Sequence, residues 1–247
     1  MQIFITGISS IIGISLCNHL VAQGLGVVGF DLVKSQDLPN DIAFIKGDVR
    51  DTGVLASAAA GCDLGIHLAV LATNAKEVDI MSTNVFGMYS YLQAAKQAQL
   101  QNSIVVGSAP VHLNPENPDS EIFLNTADDD DHLYDLTKAL QEIIGRDSHT
   151  HGLPVLCLRL GHVVFGKDEV NLGRTQTLDQ LQYCRGGWVA LEDVVNACSA
   201  ALLTEPSMTD FEIINVVGSA GARKRFQIAD TESRLGIELK YDFKLYD

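Results

Sequence analysis

The sequence predicts an α/β protein built on a doubly wound parallel sheet of the Rossmann type. Short apolar runs, among them residues 2–6, 26–31 and 63–70, are continuous rather than alternating, as in strands covered on both faces. Stretches with helical spacing separate these runs, and the alternation β-α-β demands a parallel sheet with helices on both sides. The first run also leads through a turn of small residues, 7–13, directly into a helix.

The elements follow in order. Strand 2–6 and turn 7–13 precede a helix at 14–23, then come strand 26–31, which ends on an acid, and strand 42–46. An Ala-rich helix covers 54–60 and a fourth strand 63–70. A long helix is expected over 77–100, where Val78, Met81, Val85, Met88, Leu92 and Ala95 make one apolar face. Strand 103–107, loop 114–119, helix 133–146 and strand 154–160 follow. Residues 167–187 are polar and carry no clear period. Helix 191–203, strand 211–217 and helix 226–235 complete the chain. Residues 1–166 are expected to form the dinucleotide-binding core, and 167–247 a smaller substrate-binding region interleaved with it.

The totals bound the function. The 247 residues suit one α/β domain with a small appendage, and a net charge of −14 argues against a nucleic-acid partner. A nucleotide cofactor stays compatible with that charge, because backbone N–H groups meet a pyrophosphate locally. The five cysteines are odd in number and lack CxxC spacing, so free thiols in a reducing compartment are expected. No leader segment and no apolar run of membrane length is seen, which predicts a soluble, cytoplasmic protein without a membrane partner. The acidic run 128–131 reads as a lead-in to the following helix rather than a metal site.

The carboxyl edge of such a sheet is where ligands bind. Gly7 permits the tight exit from the first strand and Gly13 close packing of the helix. The backbone of Ser9, Ser10, Ile11 and Ile12 lies between them, at a helix start able to hold a pyrophosphate. Ser10 replaces the usual middle glycine and fits if its φ is negative. Asp31 closes the second strand, where a carboxylate accepts from ribose hydroxyls and disfavours a 2′-phosphate; this selects NAD over NADP, although Lys34 lies nearby. After the third strand, Asp48 is placed to accept from an adenine amino group and Val49 to pack on the ring, while Asp51 caps the next helix. Tyr134 and Lys138 share one helix face. The ammonium would lower the phenol's pKa, so Tyr134 could exchange a proton with a substrate hydroxyl while Lys138 also holds the nicotinamide ribose. Ser108 follows the fifth strand directly and could hydrogen-bond the reacting oxygen.

Taken together these residues resemble the extended short-chain dehydrogenase/reductase family, the NAD-dependent epimerases and dehydratases. The likeness runs through Thr6-Gly7 and Gly13, Asp48, His67-Leu68-Ala69, Asn84-Val85-Phe86-Gly87, Ser108-Ala109-Pro110-Val111, Tyr134, Lys138, Leu158-Arg159-Leu160-Gly161 and Val189 to Val194. It implies that Leu68, Ala69 and Val70 line the cofactor, and that Ser108, Tyr134 and Lys138 are catalytic. It also implies that the long helices pair two subunits into a homodimer. Ala109 and Pro110 stand where the family's dehydratases carry acids, which disfavours dehydration. The shortness of the substrate region and the segments around Asn84 and Trp188 point to the compact uronate-dehydrogenase branch. The implied activity is hydride transfer between a sugar or sugar-acid hydroxyl and NAD, with Arg174 and Arg185 as candidate forks for a substrate carboxylate. The alternatives are a sugar-nucleotide epimerase that retains its cofactor and a non-catalytic NAD sensor.

Overall fold

The computed structural model describes residues 1–71, 75–109, 132–178, 187–218, 226 and 228–243. Its strands are β1 (Gln2–Thr6), β2 (Gly26–Asp31), β3 (Ala43–Lys46), β4 (Leu64–His67), β5 (Asn102–Ser108), β6 (Val155–Leu160), β7 (His162–Phe165), β8 (Val170–Asn171), β9 (Trp188–Ala190) and β10 (Glu212–Val216). The helices are α1 (Ile11–Ala22), α2 (Thr52–Ala59), α3 (Glu77–Met81), a π-helical turn (Ser82–Phe86), α4 (Gly87–Ala98), α5 (His132–Thr150), α6 (Leu191–Leu203) and α7 (Ile228–Leu235).

A seven-stranded sheet runs in the order β10-β6-β5-β4-β1-β2-β3, parallel throughout. The order reverses between β1 and β4, which opens a crevice at their carboxyl ends. Side chains alternate across the sheet. Ile3 and Ile5 join Leu16 and Leu20 of α1 and Val194 and Cys198 of α6 in one core, while Phe4 joins Leu55 of α2 and Met88, Tyr91 and Leu92 of α4 in the other. Both faces are therefore apolar, and the strands are continuous hydrophobic runs for that reason. A second sheet, β8-β7-β9, continues from the exit of β6, and Trp188, Val164, Leu178, Ala190 and Phe243 form its own small core.

Several boundaries differ from expectation. Helix α1 begins at Ile11 rather than residue 14, because Ser10 caps it. The stretch expected as a single helix over 77–100 is three segments with a π turn in the middle. The unassigned region contributes the edge strand β8 and the turn after it, and β7 and β9 were not expected at all. Loop 114–119, the acidic run 128–131 and Cys184 lie outside the described residues. Among those described, Cys17, Cys62, Cys157 and Cys198 are buried and free, no helix is long and apolar enough to cross a membrane, and no cluster of His, Cys, Asp and Glu is arranged for a metal.

Candidate active site

The turn after β1 is built for close approach. Gly7 has a φ of +71°, and a Cβ there would stand 2.5 Å from the Ala69 nitrogen. A Cβ on Gly13 would meet the Gly7 carbonyl at 2.6 Å. Ser10 takes the middle position with a φ of −70°. Its hydroxyl folds back onto the turn, donating to the Gly7 carbonyl at 2.8 Å and accepting from Gly13 N–H at 3.1 Å. The side chain thus caps the helix instead of filling the cleft. Ile11 and Ile12 precede the first internal bond of α1, Ile14 N–H to the Ser10 carbonyl, so their N–H groups have no partner within the helix.

Asp31 is fixed at the end of β2. One carboxylate oxygen accepts from Ser9 N–H at 3.0 Å and the other from Leu32 N–H at 2.7 Å. Ser9 in turn donates its hydroxyl to the Val33 carbonyl at 2.6 Å. Each Asp31 oxygen keeps acceptor capacity for a diol. Asp48 is gripped by Arg50, and that guanidinium, together with the Arg50 N–H, holds its carboxyl below the usual range against the opposing effect of burial. Gly87, at the start of α4, leaves room for Val49: a Cβ there would lie 2.7 Å from the valine side chain.

These parts meet. Gly7, Ser9, Ser10, Asp31, Asp48, Val49, Leu68, Ala69 and Val70 line one cleft of about 520 Å³. Gly13 packs behind the turn, and Ile11 and Ile12 are not in the lining. The groups present suit a dinucleotide: a cradle that a Cβ would block, free helix-start amides, and a carboxylate at the second strand's end.

Helix α5 carries the chemical end. Lys138 is 5% exposed, and its ammonium donates to the Val106 carbonyl of β5 at 2.9 Å. Burial brings its pKa down from 10.5 to about 8, with Cys157 and Glu142 opposing the shift. The Lys138 nitrogen lies 5.9 Å from the centre of the Tyr134 ring, which is half-buried. Ser108 ends β5 beside Leu160. His67, at the end of β4, bonds the Thr6 hydroxyl through Nδ1 at 2.7 Å. Desolvation foremost, with Lys138 adding to it, pushes its pKa down to about 3 and keeps the ring neutral.

Sequence reasoning gave no role to several residues that hold this arrangement. Asn84, in the π turn, accepts from Leu71 N–H at 2.7 Å and donates to the Leu71 carbonyl and to Thr137 Oγ1. It thereby ties the cleft wall to α5 between Tyr134 and Lys138. Gln141 donates to the Asn84 carbonyl at 2.8 Å. Below them Arg159 pairs with Glu142 at 3.0 Å, both buried, and a Cβ on Gly107 would strike that carboxylate. An arginine inside the apolar run VLCLRL was the available signal, since a buried guanidinium requires a partner.

The proposed substrate arginines fare differently. Arg174 sits on the turn after β8 with a φ of +54°, pairs with Asp168 at 2.9 Å and lies 4.2 Å over the Phe165 ring; it is not among the residues lining the cleft. Arg185 lies outside the described residues.

Comparison with known proteins agrees with this geometry. Residues 3–181 match the model of the family described as NAD dependent epimerase/dehydratase. A 4-hydroxy-2-methyl-3-oxo-4-farnesyl-3,4-dihydroquinoline-1-oxide ketoreductase of Stigmatella aurantiaca is 26% identical over 82% of this chain and 64% of its own length. The L-arabinose 1-dehydrogenase (NAD(P)(+)) of Haloferax volcanii is 26% identical over 76% of this chain and 78% of its own. The chain thus spans just under two thirds of the first relative. Among solved structures, a short-chain dehydrogenase/reductase superfamily protein from Agrobacterium tumefaciens with bound NAD superposes with a TM-score of 0.74, at 18% identity, covering 98% of this chain and 93% of its own. At that identity the likeness is one of fold.

Proposed function

Because the chain belongs to the NAD dependent epimerase/dehydratase family, we propose that it is an NAD-dependent oxidoreductase that transfers hydride between nicotinamide and the hydroxyl of a sugar or sugar acid. The observation that carries this reading is the buried Lys138 ammonium beside Tyr134, anchored to β5 on a helix that Asn84 links to the cleft-lining Leu71, although Ser108, Tyr134 and Lys138 are not themselves in the cleft lining. Bound NAD supplies the hydride acceptor. Gly7, the helix-start amides of α1 and Asp31 hold its diphosphate and adenosine ribose, while Asp48 and Val49 take the adenine.

Tyr134 removes the proton of the substrate hydroxyl, and the Lys138 charge favours the phenolate that does so. Ser108 orients the reacting oxygen toward Tyr134. Ala109, which follows it, carries no acid for a dehydration step. The arabinose dehydrogenase among the relatives supports a monosaccharide substrate. The enzyme works in the cytoplasm, in keeping with its free thiols, as a homodimer.

Screening NAD reduction by absorbance against aldoses, uronates and simple alcohols tests the proposal. Release of NADH with a sugar or uronate is expected, and Tyr134→Phe is expected to lower kcat by at least about 10²-fold while leaving NAD affinity intact. Conversion of a sugar nucleotide without net NADH would overturn the dehydrogenase reading. Activity preserved in Tyr134→Phe would overturn the assignment of the base.

A further inference from the structure

Resting on the NAD reading above, we propose that Arg50 sets the base specificity of the cofactor site by holding the Asp48 carboxylate where it reads the adenine 6-amino group. Three observations converge. Arg50 approaches Asp48 as a fork, with backbone N–H and Nε on one oxygen at 2.9 Å and Nη2 on the other at 2.5 Å. Its remaining arm reaches the following helical segment, where Nη1 donates to Ser82 Oγ at 3.2 Å and lies 3.9 Å from Asp79. Asp48, Arg50 and Asp79 all line the cleft.

A short carboxylate on an exposed loop would otherwise sample several rotamers. The fork fixes one, and with three Arg50 N–H groups on the carboxylate, the oxygen that takes Nη2 keeps the remaining acceptor position for a further donor. A carboxylate so presented accepts from an exocyclic amine and repels a carbonyl oxygen at the same place. Adenine is thus accepted and a 6-oxo purine refused. Arg50 also offsets the negative charge of Asp48 and Asp79 along the wall of the cleft. The ion pair is exposed, so the fold does not depend on it, and the role can be tested in an otherwise intact protein.

Calorimetric titration of the full chain with NAD, nicotinamide hypoxanthine dinucleotide and nicotinamide mononucleotide provides the test. The parent protein should prefer NAD to its hypoxanthine analogue by about tenfold, equivalent to ~1.4 kcal/mol. Arg50→Ala should bring that ratio toward one without changing mononucleotide affinity or the melting temperature. Asp48→Ala should do the same, and the double variant should lose nothing further, because the two residues act as a unit. Arg50→Lys should not restore the ratio, since one ammonium cannot grip both oxygens and Ser82 together. An unchanged ratio in Arg50→Ala, or an equal loss for all three ligands, overturns the inference while leaving the NAD reading intact. A parent protein that binds neither dinucleotide overturns both.

Discussion

Lys138 keeps its ammonium in a place with little water, and burial there lowers its pKa. The pKa falls to about 8 from 10.5, chiefly through desolvation. Below about pH 8 the folded and unfolded chains both hold the proton; between the two values the unfolded chain holds more of it. Stability contributed by this residue therefore rises with pH across that window. Relative to Lys138→Met, the parent is expected to gain roughly 2–3 kcal/mol between about pH 7 and about pH 10, read by denaturant unfolding at each pH. A flat difference would mean that the ammonium is as well solvated as in the unfolded chain. At this scale the sequence was informative where chemistry depends on helical spacing or on a strand's end: Tyr134 and Lys138 share a face, and Asp31 ends β2 as read. Ser10 shows the limit. Its substitution for glycine was visible, but that its hydroxyl turns back to cap α1 depends on a backbone φ no residue name specifies. The grip of Arg50 on Asp48 was hidden for a similar reason, since an Asp-Val-Arg string fits equally well with two solvated charges.

Between residue and fold lies the π turn Ser82–Phe86, which interrupts what the apolar spacing from Val78 to Ala95 presents as one helix. Hydrophobic periodicity reports which face is buried; it does not report a change in backbone winding. The cause is polar: Asn84 sends its amide to Leu71 and Thr137, and Gln141 takes its carbonyl. Insertions of this kind recur at functional sites. Replacing Asn84 by Ala would strip the Leu71 N–H and carbonyl of their side-chain partner, at about 1–3 kcal/mol for each group stranded, while Thr137 keeps its bond to the Tyr134 carbonyl. A lowered unfolding midpoint together with reduced kcat is the expected outcome, whereas an unchanged midpoint would show that water replaces the amide. The strands β7 and β9 were missed for another reason: four and three residues are too few to establish a period. The long strands and α6, by contrast, were read nearly to their ends, because burial on both faces leaves an unbroken apolar run.

At the scale of the molecule, the outer face of the helices flanking the site is more apolar than solvent exposure alone explains. Val78 is 70% exposed, Phe86 49%, Tyr89 46% and Ile143 54%, and the rings of Phe86 and Tyr89 stack at 6.2 Å. A patch of this composition on adjacent helices suits an isologous partner. Light scattering is expected to give about twice the 26.7 kDa chain mass, and Tyr89→Glu with Ile143→Glu to give one. A monomeric parent would refute the dimer. Fold class followed from the alternation of elements, while the strand order, the small second sheet and its packing against 239–243 did not; Asp193 secures that last segment through the N–H groups of Lys240 and Tyr241, a long-range contact without a local pattern.

The chain has a single tryptophan, and the fold gives it an informative address. Trp188 is 2% exposed in the second sheet, with the His162 ring edge-on at 5.0 Å. Indole emission from this protein therefore reports one locality, the shelf beyond the exit of β6, with no background from the large sheet. A dihydronicotinamide formed in the cleft, absorbing where indole emits, should draw its light away. Cofactor reduction can thus be followed without any attached label.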